Sequence, residues 1–181
     1  MADHKRDDLS LADEMLLAGC DVHIYKSSGP GGQHRNKVSS AVRLKHRATG
    51  LTAHGDGSRS QHENRRTALA RLRMNLACRL RRPIDINSAE LPPVVAECIF
   101  EPRGRGPQAP RRLEIGRKDR RFWQVGAFLL DVLEACEGRL AEAAAYLGIT
   151  TSNLAGLLKS ERHIFAAAQA LRKNHGQKPL L

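Results

Sequence analysis

A chain of 181 residues and 20.0 kDa, 41% of them hydrophobic, has enough length and apolar content for one medium domain or two small ones, which excludes wholesale disorder. A formal net charge of +11 and a pI near 10.2 call for a polyanionic partner, either nucleic acid or an anionic membrane surface. With neither an apolar N-terminal h-region nor a run of ~18 apolar residues, a secretory signal and a membrane-spanning helix are excluded, and a cytoplasmic protein with no membrane partner is expected.

In chain order, residues 1–7 are polar and read as frayed. Ser10 then reads as an N-cap with Asp13 at the third helical position, ahead of Met15, Leu16 and Leu17, and the helix is expected to end near Gly19. Residues 22–25 alternate apolar and polar, 41–44 do so more weakly, and a turn at 48–50 precedes a third alternating run at 51–54. These predict a small mixed or antiparallel sheet whose first two strands are joined by the small-residue run Ser27 to Gln33. From 60 to 80 the pattern becomes helical, with Leu69, Leu72, Leu76 and Leu80 three and four apart and arginines on the other faces. That long basic helix is expected to stop at Pro83.

Residues 83–120 are rich in Pro, Gly and Arg, with only 94–100 resembling a packed segment, and read as a linker. After Trp123, helical runs begin at 128 and 140 and a further one covers 164–171, enough for a four-helix unit of roughly 55 residues. Within it, 140–158 resembles a helix-turn-helix, with the turn at Gly148 and the second helix capped by Thr150 or Thr151. Residues 123–181 carry almost balanced charge and few base-reading side chains, so packing or docking is the favoured role there, and a nucleic-acid-binding regulator acting through this unit is the alternative. The expected organisation is therefore α+β: a domain over 1–82, a linker over 83–120 and an all-α domain over 121–181.

Charge is concentrated in the first of these. Residues 23–82 hold 14 Lys or Arg against Asp56 and Glu63, while the rest of the chain is close to neutral. The four cysteines are too widely spaced for a Cys-x-x-Cys metal site and read as reduced and mostly buried. His46, His54 and His62 fall on a turn, a strand and a helix, so no metal site is expected.

Gly31 and Gly32 allow φ > 0 and close backbone approach, Pro30 limits the freedom of the chain entering the turn, and Gln33 offers a side-chain amide and a main-chain N–H. The run Ser27-Ser-Gly-Pro-Gly-Gly-Gln-His-Arg-Asn-Lys37, followed by Ser40-Ala-Val-Arg-Leu44, resembles the catalytic domain of class I peptide chain release factors and their ribosome-rescue relatives. A second block, Arg59-Ser-Gln-His-Glu-Asn-Arg65, is similar to that family's Arg-Ser-Gln-x-x-Asn-Arg signature, and the resemblance covers about 16–80.

The resemblance implies hydrolysis of peptidyl-tRNA in the ribosomal peptidyl transferase centre. It implies that Gln33 presents its main-chain N–H to the transition state while its side chain restricts the nucleophile to water, and that Gly31 and Gly32 set its conformation. It implies the ribosome as partner, through large-subunit rRNA and P-site peptidyl-tRNA, and no cofactor. Family members often carry N5-methylation on this glutamine, so a glutamine methyltransferase is a further implied partner. His34 then serves the fit of the loop to RNA, and Arg35 departs from the small apolar residue usual there. Only 26 residues precede Ser27, so the short, codon-independent rescue hydrolases are the nearer resemblance, although their basic C-terminal tail has no counterpart beyond the stretch Arg103 to Arg121. His34, Arg35, Lys37, Arg43, Lys45, Arg59, Arg65, Arg66, Arg71 and Arg73 are the expected RNA-binding residues, each neutralised phosphate adding salt-dependent affinity. A monomer is expected.

Overall fold

The computed structural model describes residues 4–26, 39–88, 90–101 and 110–180. The glutamine loop, with Gly31, Gly32, Gln33, His34, Arg35 and Lys37, lies outside the described residues, as do Arg103 and Arg105. The chain divides into two compact units, Met1–Ala77 and Cys78–Leu181. The described elements are mixed α and β: two small antiparallel sheets and seven α-helices.

In the first unit a short 3-10 helix, His4–Ser10, leads into α1, Asp13–Ala18. Ser10 does not cap α1. Its hydroxyl donates to Asp7 O at 2.7 Å, and Ala12 stands at the N-cap with no side-chain bond. The start of α1 is held from outside instead: Arg73 donates to Leu9 O at 3.0 Å, to Leu11 O at 2.7 Å and to Asp13 Oδ1 at 2.9 Å. A guanidinium only donates, so it does not accept from the first N–H groups of α1 as a cap hydroxyl would; it ties down the carbonyls that lead into the helix.

Three strands follow as a meander, β1 (Cys20–Tyr25), β2 (Ala41–His46) and β3 (Thr52–Gly55), antiparallel in the order β1-β2-β3. Gly50 has φ +72° in the tight turn between β2 and β3, where Gly50 N donates to His46 O at 2.7 Å. The β2–β3 register sets Val42 opposite Gly55 and Leu44 opposite Ala53, so one face of these two strands is apolar. Helix α2, Gln61–Arg79, buries Ala68, Leu69, Leu72, Leu76 and Ala77, and Val42, Leu44 and Leu16 are fully buried in the same unit. At the edge, β1 keeps the expected alternation without the burial: Val22 and Ile24 face the same side as Leu44 and Val42 yet are 40% and 48% exposed.

The second unit has its own core. Helices α4 (Phe122–Ala135), α5 (Leu140–Leu147), α6 (Thr151–Lys159) and α7 (Arg162–Asn174) supply Val125, Leu130, Leu133, Leu147, Leu154, Leu158 and Ile164, all buried. Gly148, at φ +66°, ends α5, and the Thr150 side chain accepts from Asn153 N at 3.1 Å to cap α6, as the spacing predicts.

The stretch read as a linker does not behave as one over its described part. It forms α3 (Pro93–Ala96) and a two-stranded sheet of β4 (Ile99–Phe100) and β5 (Arg112–Leu113), and it sends Val95, Cys98 and Leu113 into the helical core. The Asn153 side chain fixes β5 by accepting from Leu113 N at 2.8 Å and donating to Leu113 O at 3.1 Å. Each of these apolar residues is isolated among Pro, Gly and Arg in sequence, and it is the surrounding helices that give them partners. The Asp119–Arg121 pair before α4 holds the Asp119 carboxyl down to about 2 through its hydrogen bonds. No helix among the described residues is long and apolar enough to cross a membrane.

Candidate functional site

Tyr25 and Ala41 are the last paired residues of β1 and β2, so the chain segment carrying Gln33 leaves and re-enters the sheet at one end. What the structure describes is the footing of that segment. On the departing side, the Tyr25 hydroxyl lies 3.2 Å from His54 Nδ1, and the two rings meet edge to face with centroids 6.2 Å apart. The pair spans from β1 to β3, and Ala41 on the intervening strand is 1% exposed although it shares the outer face with exposed Arg43 and Lys45. Tyr25 is the cross-strand partner of Ala41.

The returning side is tied by a buried amide. Asn64, on the first turn of α2, is 1% exposed. Its Nδ2 donates to Ser40 O at 2.7 Å and to Ser58 O at 2.8 Å, and its Oδ1 accepts from Ser58 N at 2.9 Å. Ser40 Oγ donates to Ser58 O at 3.2 Å. The helix start itself is built from the same motif: Glu63 N donates to Ser60 Oγ at 3.4 Å, and Ser58 Oγ bonds the Glu63 carboxylate. Gly55 is needed at this crossing, because a Cβ placed there would stand 1.9 Å from Asn64 O.

The expected RNA-binding cations fall into three groups. Arg43 and Lys45 are exposed on the outer face of the sheet, with His23 and His54 on either side of Arg43 in one cross-strand row. Arg59 and Arg66 are exposed before and along α2, and Arg65 is half-buried. Arg71 and Arg73 are engaged within the protein. Arg71 donates to His54 O at 2.6 Å and lies 3.7 Å from Asp56, whereas Arg73, with its side chain 17% exposed, holds the 3-10 helix and the start of α1.

The three histidines considered for metal are separated by role. His46 is 2% exposed, on β2, with Asp8 at 3.1 Å and Thr49 at 2.9 Å, His54 pairs with Tyr25, and His62 is exposed on α2.

Sequence reasoning gave no role of their own to Tyr25, Gly55 and Asn64, quoting Asn64 only within the Arg59 to Arg65 motif, and weighed His54 only as a metal ligand. A signal for Asn64 was present: it stands four residues before Ala68, eight before Leu72 and twelve before Leu76, on the buried stripe of α2. A polar residue in that phase must find bonds inside the fold.

Residues 15–90 match the RF-1 domain family. Similar proteins are peptide chain release factor 2 of Sulfurimonas denitrificans, 51% identical over 55 residues, which are 30% of this chain and 15% of the relative, and peptide chain release factor 1 of Leptothrix cholodnii, 47% identical over 72 residues, which are 39% of this chain and 20% of the relative. Peptide chain release factor 1 of Methylibium petroleiphilum is 49% identical over 72 residues, 39% of this chain and 19% of that protein. The chain thus aligns with a fifth or less of the length of the curated relatives it matches.

Proposed function

We propose, from the premise that residues 15–90 are an RF-1 domain of the class I peptide chain release factor family, that this chain releases nascent peptides on the ribosome by hydrolysing the peptidyl-tRNA ester. In the finer form of the proposal, hydrolysis occurs in the peptidyl transferase centre of stalled ribosomes, without reading a codon, in the cytoplasm. Water adds to the ester carbonyl, the Gln33 N–H receives the developing oxyanion, and the ribose hydroxyl departs with a proton, leaving a free peptide acid and tRNA. Gly31 and Gly32 give Gln33 its conformation, N5-methylation is the modification expected there, and rRNA supplies the surroundings.

The observation that carries this reading is that the RF-1 match runs through both the glycine-glutamine run and the Arg59 to Arg65 motif. Further support comes from the outer sheet face, where Arg43, Lys45, His23 and His54 are exposed beside the footing of the Gln33 segment. Phosphates of rRNA or tRNA are the ligands that such a face fits.

Gln33→Pro, which removes the main-chain N–H that Gln33→Ala would keep, is expected to retain ribosome binding and to slow peptide release by two or more orders of magnitude, roughly the loss known for removal of one oxyanion donor. Release is measured on 70S complexes stalled on truncated messages and on complexes with a stop codon. Unchanged release by Gln33→Pro would refute the hydrolase reading, and activity confined to stop-codon complexes would remove codon independence alone.

A further inference from the structure

The Arg59 to Arg65 motif has been given no part in the chemistry beyond phosphate contact, yet its asparagine is among the least exposed polar residues described. A buried side-chain amide is costly unless its two N–H donors and its oxygen are bonded. For Asn64 they are, and every partner is main chain: Ser40 O, Ser58 O and Ser58 N. Main-chain partners mean that the amide fixes where the backbone runs, whatever side chains those positions carry. Two of the bonds only close the local turn from 58 into α2. The third, to Ser40, reaches 24 residues back along the chain.

Ser40 is the residue before β2 and stands seven positions after Gln33. Three backbones meet at this point. The start of α2 carries Asn64, the chain entering β2 is held by it, and the end of β3 lies so close that Gly55 has no room for a Cβ. The crossing is a fixed footing, with the Ser40 Oγ to Ser58 O bond as a second tie.

We propose that Asn64 is a positioning residue for Gln33: by holding Ser40 O it fixes the place and direction in which the chain returns from Gln33 to the sheet. This rests on the reading of Gln33 given above. Asn64 acts at a distance from the ester, through Ser40, and touches no reacting atom. An amide suits the task because it donates to two carbonyls and accepts from an N–H at once. A carboxylate at the same position keeps the bond from Ser58 N but turns both donor positions into acceptors facing the carbonyls of Ser40 and Ser58. The footing is then pushed open with almost no change in side-chain volume.

The test compares the full-length protein with Asn64→Asp and Gln33→Pro in two measurements: peptide release from 70S complexes, resolved into kcat and KM, and hydrogen exchange of the 39–41 backbone in the free protein. Asn64→Asp is expected to lower kcat about 10- to 100-fold, the scale of an ångström-sized misplacement, with KM within about twofold of the parent. Exchange at 39–41 should be faster in Asn64→Asp and unaltered in Gln33→Pro. A purely stabilising role predicts parental kcat for the folded fraction, and parental kcat for Asn64→Asp beside an inactive Gln33→Pro overturns the positioning role alone. Parental kcat for Gln33→Pro overturns both readings together. Should Asn64→Asp fail to fold by circular dichroism, Asn64→Ala, which removes the bond to Ser40 O without adding a charge, carries the same readout: a lower kcat at fixed KM supports the proposal, and a parental kcat overturns it.

Discussion

Replacing Gly55 with alanine adds one methyl group at the tightest backbone crossing described in the first unit. The new Cβ would stand 1.9 Å from Asn64 O, 2.8 Å from Asn64 C and 3.1 Å from Ala68 N, all main-chain atoms of α2. No rotamer change relieves such a clash, because nothing at the contact is a flexible side-chain end. An ordinary carbon–oxygen contact is on the order of 3.3 Å, so β3 and α2 must part by more than an ångström, loosening the unit's core, in which Ala53 of β3 and Leu72 of α2 are both buried. Overpacking against a rigid neighbour costs about 3 kcal/mol, which for a unit of this size lowers Tm by roughly 12–24 °C. At ~1.4 kcal/mol per tenfold, the same loss accelerates hydrogen exchange of the slowest amides in β2, β3 and α2 by about two orders of magnitude. Exchange read peptide by peptide is the assay of choice, since it reports the first unit independently of the second. Gly57→Ala is the control, with no atom within 4 Å of its added Cβ, and is expected to stay within about 0.5 kcal/mol of the parent. Protection in Gly55→Ala equal to that of Gly57→Ala would show that strand and helix separate freely and that the crossing is no fixed footing.

Two further outcomes follow from the second unit. Burial pushes the Cys78 thiol up to about 11 from an ordinary 9.0. At pH 8 its thiolate is then about 100-fold rarer than that of a free cysteine, and alkylation by iodoacetamide, followed by mass spectrometry, should be slower by about that factor in native than in denatured protein. Because the folded value is the higher one, the thiol adds no pH slope below about 9, and stability is lost as pH climbs from about 9 to about 11. Native alkylation at the free-cysteine rate would contradict that burial. Asp131, 1% exposed, accepts from the Arg81 guanidinium at 3.2 Å and from Arg82 N at 3.1 Å. Asp131→Ala should cost about 3 kcal/mol, read by denaturant unfolding through the fluorescence of Trp123, the chain's one tryptophan. A loss under about 1 kcal/mol would mean that the pair contributes little.

Periodic elements were legible in the sequence because their signal is local. The three strands, the turn at Gly50, α2 from 61 to 79 and the capped α6 each follow from alternation, spacing of leucines or a turn residue within a few positions. What escaped depends on partners far along the chain. Ser10 has the composition of an N-cap, but Arg73, more than 60 residues later, secures the start of α1 instead. Val95 and Leu113 sit in a stretch whose Pro, Gly and Arg content reads as linker, and only the helices α4 to α7 make them core residues. Val22 and Ile24 carry the alternation of a half-buried strand, and only the sheet order reveals β1 as an edge. At the candidate site, the motifs themselves could be read, whereas the bonds from Asn64 to Ser40 and from Tyr25 to His54 cross between elements.

The excess charge of the first unit is best apportioned by what each guanidinium already bonds. Arg47 donates to Cys20 O at 3.0 Å and lies 3.4 Å from Asp21, Arg73 bonds two carbonyls and Asp13, and Arg71 bonds His54 O. In each case a long cationic side chain satisfies main-chain oxygens at the end of an element, so its positive charge comes with a structural duty. Arg73, its side chain 17% exposed, has its fork of donors turned inward and is a poor clamp for a phosphate, whereas Arg47 and Arg71, 55% and 50% exposed, hold their carbonyls from the surface. Arg43, Lys45, Arg59 and Arg66 are exposed on β2, before α2 and along it, with their heads in solvent. On the function proposed above, long-range attraction to RNA would belong to the whole basic unit and close phosphate contact to this smaller set. Concentration of charge and placement of charge are separate consequences of the same arginines: the first makes the unit basic as a whole, and the second helps to hold α1, the sheet and α2 as the frame that carries Ser40.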